Sequence, residues 1–376
     1  MDTTISTIEQ LETWLDITPV IAGKIEPLSL AFLSQEPKIF VSYTDMVKFL
    51  DRVELVETEQ KLLCLESNQC HVQRFPIIEC HHNPYTEELN TILGPKYEFI
   101  RDSMLGQDQI SDVIVQDCIN HEIDAVVLIL VDGLSYSDVV NWTEFSCTPC
   151  LVPGLTNTSE GFQNVIGHEM PIAVKLFDLG FKNRTGYTYW ERQTNELTDI
   201  LFRAIHRTLS VSSMAEVFDH LKTSEFKKNY IQIVRVGLDQ YAHSCLREDL
   251  VQKRQVTLKQ IRSDLNTISS IFKEKELKAL ICAISDHGIL WRDRIELVKI
   301  GSEFGKSSPR YYGVDESVKF PEGNGRYVLV DELTYFQLDY PYIKRGLHRN
   351  EWGVHGGLSF QESIVPLIKI DTSLGK

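Results

Sequence analysis

Val126 to Val131 (VVLILV) is an uninterrupted apolar run of strand length, and it stops abruptly at Asp132-Gly133. A strand that is apolar at every position is covered on both faces, as in the parallel sheet of an α/β protein. Two further runs also read as buried strands. Asn229 to Val236 (NYIQIVRV) leads into GLDQYAHS, and Leu280 to Ile284 leads into SDHG. Between them Leu258, Ile261, Leu265, Ile268 and Phe272 recur at steps of three and four, which predicts an amphipathic helix. Trp190 to Leu209 and Ser212 to Leu221 also read as helices, and Arg326 to Val330 and the end of SFQESIVPLIKI read as strands. Strand, long helix and strand in repetition predict an α/β fold, with a mostly parallel central sheet and helices on both faces.

The first part of the chain is patterned less clearly. Helical stretches at Ile8–Leu15, Tyr43–Leu50 and Tyr85–Leu93 alternate with short apolar runs at Ile39–Val41 and Leu62–Leu65. A helix over Asp108–Cys118 then feeds the first buried strand. The expected organisation is a small α/β N-terminal extension, residues 1–118, ahead of a main domain at 119–376. Cys64, Cys70, His71, Cys80, His81 and His82 fall in the extension, but their spacing fits no standard zinc pattern, so they read as scattered residues.

Composition narrows the classes. With 53 acidic and 38 basic residues the net charge is −15, which argues against an extended basic footprint for duplex nucleic acid. Bound divalent cations would reverse the sign locally. No apolar run approaches a membrane span, so no membrane partner is expected. The acidic start MDTTISTIEQ lacks the order of a signal peptide, and the eight cysteines read as reduced thiols, so a cytoplasmic protein is expected.

Candidate chemistry gathers at the strand ends. The three buried runs end in Asp132, in Asp239 with His243, and in Asp286 with His287, and His355 lies in a glycine-flanked loop. A parallel sheet would bring these to one rim. Carboxylate and imidazole together suit zinc, manganese or iron, and their number suits two ions. Thr156, Thr158 and Ser159 precede a helical stretch, where hydroxyls and free N–H groups form either an anion site or a plain N-cap. CTPC (Cys147–Cys150) has the composition of a redox motif but follows no evident strand, so two small thiols beside the site are expected instead.

In these segments the chain resembles the alkaline-phosphatase superfamily, and within it the PglZ domain family. The resemblance rests on VDGLSY, PGLT, VGLDQYAH, SDHG and VHGGLSFQESIVPL, and runs from about residue 120 to the C-terminus. It implies an alkaline-phosphatase-like fold and two divalent ions, zinc with manganese as the alternative. It assigns Asp132, Thr156, Asp286 and His287 to one ion, and Asp239, His243 and His355 to the other. Thr156 would be the nucleophile, with Thr158 taking the role if the register shifts by two, and the Asn157 amide could reach the substrate. No arginine matches a dedicated phosphate clamp, Arg184 and Arg235 being the nearest candidates. The implied function is a metal-dependent hydrolase, a phosphodiesterase acting on nucleotides or oligonucleotides. Partners in phage defence or signalling would go with it. The alternatives are a phosphomonoesterase or a catalytically reduced interaction module.

Overall fold

The structure is a computed structural model. It describes short strands and a few residues before position 97, and residues 97–372 apart from 140–141, 190–193, 293–295, 304–307, 315–322 and 331. The chain divides into two compact units, residues 1–104 and 105–376. In the first unit β1 (Val20–Ala22), β2 (Lys38–Phe40), β3 (Leu62–Cys64) and β4 (Ile77–Glu79) form a parallel sheet in the order β2-β1-β3-β4. Helix α1 (Tyr97–Ser103) ends this unit. The apolar runs expected near Ile39 and Leu62 are therefore strands. The helices expected at Ile8–Leu15 and Tyr43–Leu50, and the side chains of the cysteine–histidine set, lie outside the described residues.

The second unit opens with α2 (Ile110–Asn120), so the helix expected to close the N-terminal extension belongs here. It continues through β5 (Ala125–Val131), the short α3 (Tyr136–Val139), β6 (Ser146–Leu151), α4 (Thr158–Ile166) and α5 (Ile172–Asp178). Then come β7 (Asn183–Thr188), α6 (Asn195–Leu201), β8 (Arg207–Ser210), α7 (Met214–Thr223) and β9 (Asn229–Arg235). After β9 follow the single-turn α8 (Asp239–His243), the long α9 (Arg247–Glu274) and β10 (Ala279–Ser285). Short strands β11 (Leu290–Trp291), β12 (Val298–Glu303), β13 (Tyr311–Gly313), β14 (Gly325–Val330), β15 (Leu333–Leu338), β16 (Tyr342–Arg345) and β17 (Gly353–Val354) form small sheets of their own. The turn α10 (Phe360–Ser363) and β18 (Ile364–Asp371) close the chain.

The central sheet is seven-stranded, in the order β6-β18-β10-β5-β9-β7-β8. Strands β10, β5, β9, β7 and β8 run parallel, and β18 is antiparallel to both β10 and β6. The expected mostly parallel α/β sheet is the one observed. Every residue of β5 is buried, and alternate positions serve opposite faces. Val127, Ile129 and Val131 pack with Ile261, Leu265, Ile268 and Phe272 of α9. Val126, Leu128 and Leu130 pack with Ile110 and Ile114 of α2, Phe162 and Val165 of α4 and Ile172 of α5. Each of these large side chains contributes roughly 1.5–3 kcal/mol by leaving water.

One sequence expectation changes, and two other segments find a place that the sequence did not specify. Trp190–Leu209 is not one helix: α6 ends at Leu201, Ala204 turns into the left-handed region (φ 61°), and β8 pairs with β7 at the sheet edge. β14 lies outside the central sheet, between no parallel neighbours, in the antiparallel order β13-β15-β14. CTPC lies inside the strand β6, paired with β18, and not at the start of a helix. Cys150 is fully buried, and burial raises its thiol well above the ordinary value, the opposite of a reactive thiolate.

Candidate metal centre

Strands β5, β9 and β10 are neighbours in the sheet, so their C-terminal ends deliver Asp132, Asp239 and Asp286 to one place. Close backbone contact holds the three ends together. Gly133 has φ 74°, its N–H donates to Asp286 Oδ1 (2.9 Å), and a Cβ there would meet the Asp239 backbone nitrogen at 2.9 Å. On the other side of the site, a Cβ on Gly161 would strike the Asp286 carbonyl, so only glycine lets α4 sit this close.

One ligand atom each from Asp132, Asp286 and His287 lies within 4.8 Å of the others, and the same holds for Asp239, His287 and His355. Asp132 Oδ1, Asp239 Oδ1 and Asp286 Oδ2 are buried and accept no hydrogen bond. His287 Nε2 lies 3.3 Å from Asp286 Oδ2, and His243 and His355 place Nε2 3.3 and 3.4 Å from Asp239 Oδ1. His287 and His355 stack with centroids 4.0 Å apart. All six predicted carboxylate and imidazole residues therefore converge.

The imidazoles are oriented from behind. His287 Nδ1 lies 3.0 Å from the Gly288 carbonyl and His355 Nδ1 lies 3.1 Å from the Thr156 carbonyl. A carbonyl can only accept, so each Nδ1 carries the proton and each Nε2 turns a lone pair into the site. Orphaned carboxylate oxygens beside two inward imidazole lone pairs are what a cation requires, and this set of ligand atoms fits divalent metal ions.

The electrostatics agree. Burial raises the Asp132 carboxyl well above its ordinary value, with Asp239 and Asp286 adding to the effect. Burial likewise lifts Asp286 to about 7, against the N–H groups of Gly133 and His287. Burial opposes ionisation of Asp239 too, but His355 and His243 outweigh it and hold that group below the carboxylate range. His355 falls to about 4 through burial and the neighbouring His287, and burial lowers His287. His243, the most exposed of the set, is instead raised, because the Asp239 carboxylate outweighs its burial.

The hydroxyl residues are placed differently from the expected register. Thr156 is fully buried, its hydroxyl donates to the Gly357 carbonyl (2.8 Å) and accepts from the Gly356 N–H (2.9 Å). It ties α4's approach to the His355 loop. Thr158 Oγ1 is the hydroxyl at the site, 3.3 Å from His287 Nε2. Asn157 is the N-cap of α4, its side-chain oxygen accepting from the Glu160 N–H (2.9 Å), so that oxygen is taken by the helix. Arg235 pairs with Asp264 at 2.7 Å, and Arg184 is held by His206 and the Ala173 carbonyl, so both are engaged elsewhere.

Sequence reasoning missed one supporting pair. Arg310 and Glu362 are fully buried and joined by two parallel contacts, Nε to Oε1 at 3.0 Å and Nη2 to Oε2 at 2.7 Å. Glu362 also accepts from the Gly357 N–H (3.0 Å) and the Ser359 hydroxyl (2.6 Å), so the pair braces the loop that carries His355. Glu362 sits within the HGGLSFQES motif, whereas nothing in the pattern around SSPRYY marks Arg310.

No protein-family model matches the chain, and no curated protein matches it. Among solved structures it is similar to murine ectonucleotide pyrophosphatase/phosphodiesterase 5, at 11% identity and a TM-score of 0.43, over 65% of this chain and 87% of that one. It is similar to the C-terminal periplasmic domain of phosphoethanolamine transferase EptC from Campylobacter jejuni, at 10% identity and a TM-score of 0.36, over 67% and 80%. A magnesium-bound mutant of TAB5 alkaline phosphatase aligns at 10% identity and a TM-score of 0.32, over 66% and 91%. No helix among the described residues is long and apolar enough to cross a membrane.

Proposed function

We propose that the chain is a two-metal phosphoesterase of the alkaline-phosphatase superfamily, of PglZ type, with Thr158 as its nucleophile. The observation that carries this reading is the meeting of three orphaned carboxylate oxygens with the Thr158 hydroxyl at the rim of one parallel sheet. Asp132, Asp286 and His287 would hold one ion, and Asp239, His243 and His355 the other. Zinc suits this mixture of carboxylate and imidazole, with manganese as the alternative. When bound, the ions would withdraw charge from the phosphoryl oxygens and favour the ionised hydroxyl.

The chain's own residues supply the rest. Thr158 is the first residue of α4, and the first N–H groups of a helix have no partner within it, so those of Thr158 and Ser159 are available to phosphoryl oxygens. Thr158 Oγ1 gives up its proton to water and attacks phosphorus, and the new O–P bond forms as the bond to the leaving oxygen breaks. That oxygen takes a proton from water and departs as the alcohol, and a further water then cleaves the phosphothreonine. Arg184 and Arg235 are both engaged away from this centre, so no clamp from them adds positive charge. A diester carries less charge than a monoester, and the reading is therefore a phosphodiesterase, with nucleotides or oligonucleotides as the substrate class. Rates on bis-(p-nitrophenyl) phosphate and p-nitrophenyl phosphate, measured side by side with added zinc or manganese, test it. Faster cleavage of the diester is expected; a clear monoester preference would make the protein a phosphatase, and no metal-dependent cleavage of either would overturn the reading.

A further inference from the structure

A cavity of about 620 Å³ opens at the same rim of the sheet, beyond the ends of β7 and β9 and against α9. That volume lies in the range of about 300–1,000 Å³ typical of small-molecule sites. Its relation to the metal centre is set by α8. Asp239 and His243 of this single turn belong to the metal cluster, while Gln240 and Tyr241 between them line the cavity. The two places share one helical turn.

The lining selects for a particular chemistry. Its one buried cation, Arg235, is neutralised by Asp264 at 2.7 Å, so the cavity offers no unmatched charge to a phosphate or an amine. Tyr189 and Tyr241 contribute ring surface, and burial raises the Tyr189 phenol, which keeps it a protonated donor. Gln240 and Gln260 each bring both a donor and an acceptor. Thr257 is only 4% exposed and brings a hydroxyl to the lining. Ring faces with paired donors and acceptors, and no net charge, match a neutral planar heteroaromatic group.

We propose that this cavity is a nucleobase-binding site, and that α8 transmits its occupancy to the metal centre. The binding stands on the cavity alone; the transmission rests on the phosphoesterase reading. The test uses the full chain with adenosine, guanosine, cytidine and uridine as probes, followed by equilibrium dialysis and ligand-observed NMR. Saturable binding of at least one nucleoside is expected, weakened roughly tenfold or more in Tyr189→Ala and in the solvent-facing Gln260→Ala, and retained in Asp286→Asn. The bound nucleoside should also change the rate on bis-(p-nitrophenyl) phosphate, and should cease to do so in Gln260→Ala. Absence of saturable binding by all four nucleosides would overturn the proposal, as would binding lost in Asp286→Asn but kept in Gln260→Ala, which would place the ligand at the metal centre. Binding with that variant pattern but without any hydrolysis would keep the nucleobase site and remove the phosphoesterase reading.

Discussion

Thr158 Oγ1 stands 3.3 Å from Nε2 of His287, while the Thr156 hydroxyl two residues earlier is turned into the protein, between Gly356 and Gly357. On the proposed reading Thr158 is the nucleophile and Thr156 supports the His355 loop. Thr158→Ala is expected to lower phosphodiester cleavage by orders of magnitude, because the attacking oxygen disappears. Thr156→Val should keep much of the rate and lose about 1–3 kcal/mol of stability, since it leaves the buried Gly356 N–H unsatisfied, while the Gly357 carbonyl keeps its bond from the Gln337 amide. Steady-state kinetics paired with urea unfolding separate the two. The opposite pattern of activities would return the role to Thr156.

Metal content is the second expectation. Protein purified without chelator should carry up to two divalent ions by plasma mass spectrometry. Asp286→Ala and His355→Ala should each lower that content while leaving circular dichroism unchanged, because both residues sit at loop ends and not in the hydrophobic core. Far less than one equivalent, with no uptake of added zinc or manganese, would remove the two-metal reading.

Arg310 and Glu362 provide a test away from the ligands. Arg310→Met leaves Glu362 buried without its partner, and breaking such a pair costs about 3–5 kcal/mol. Glu362→Gln keeps the shape but weakens the brace on Gly357 and Ser359. Its expected signature is a metal affinity lower by roughly 10–100-fold, the usual effect of losing a group that orients a ligand. Competition with a chromogenic chelator measures it, and an unchanged affinity would mean that the loop holds His355 without this pair.

Asp339 predicts a pH dependence. Burial lifts its carboxyl to about 6 despite Arg310 and Arg326, and its Oδ1 is buried without a partner. Between the ordinary value near 4 and about 6 the folded chain keeps a proton that the unfolded chain has released, so this residue makes stability fall as pH rises through that window. Asp339→Asn should remove its part of the slope, flattening the midpoint of urea unfolding between pH 4 and 6.5. A slope identical to the unmodified protein would show that Asp339 is ionised throughout.

How far the sequence reached depended on the range of the interactions involved. Largely apolar runs leading to Asp132, Asp239 and Asp286 marked three buried strands, because a strand covered on both faces has little room for polar side chains. Parallel topology then sends their carboxyl ends to one rim. The heptad-like spacing of Leu258 to Phe272 similarly marked α9, whose buried face follows from local periodicity. These features are written in neighbouring residues, and a sequence displays them directly.

What the chain does over long separations was settled only by folding. Thr156 and Thr158 are alike in sequence, and what separates them is a loop two hundred positions away, Gly356 and Gly357, which takes one hydroxyl and leaves the other beside His287. The same is true of Cys147 and Cys150, whose redox-like motif became an ordinary strand once β18 supplied its hydrogen-bonding partner. Arg310 had no local signal at all, since its role exists only where Glu362 meets it. Likewise the cavity behind α8 is assembled from β7, β9, α8 and α9, and no single stretch of the chain contains enough of it to be seen. Periodicity and strand ends are properties of adjacent residues, whereas hydroxyl orientation, ion pairing and cavities are properties of which distant segments come to share a surface.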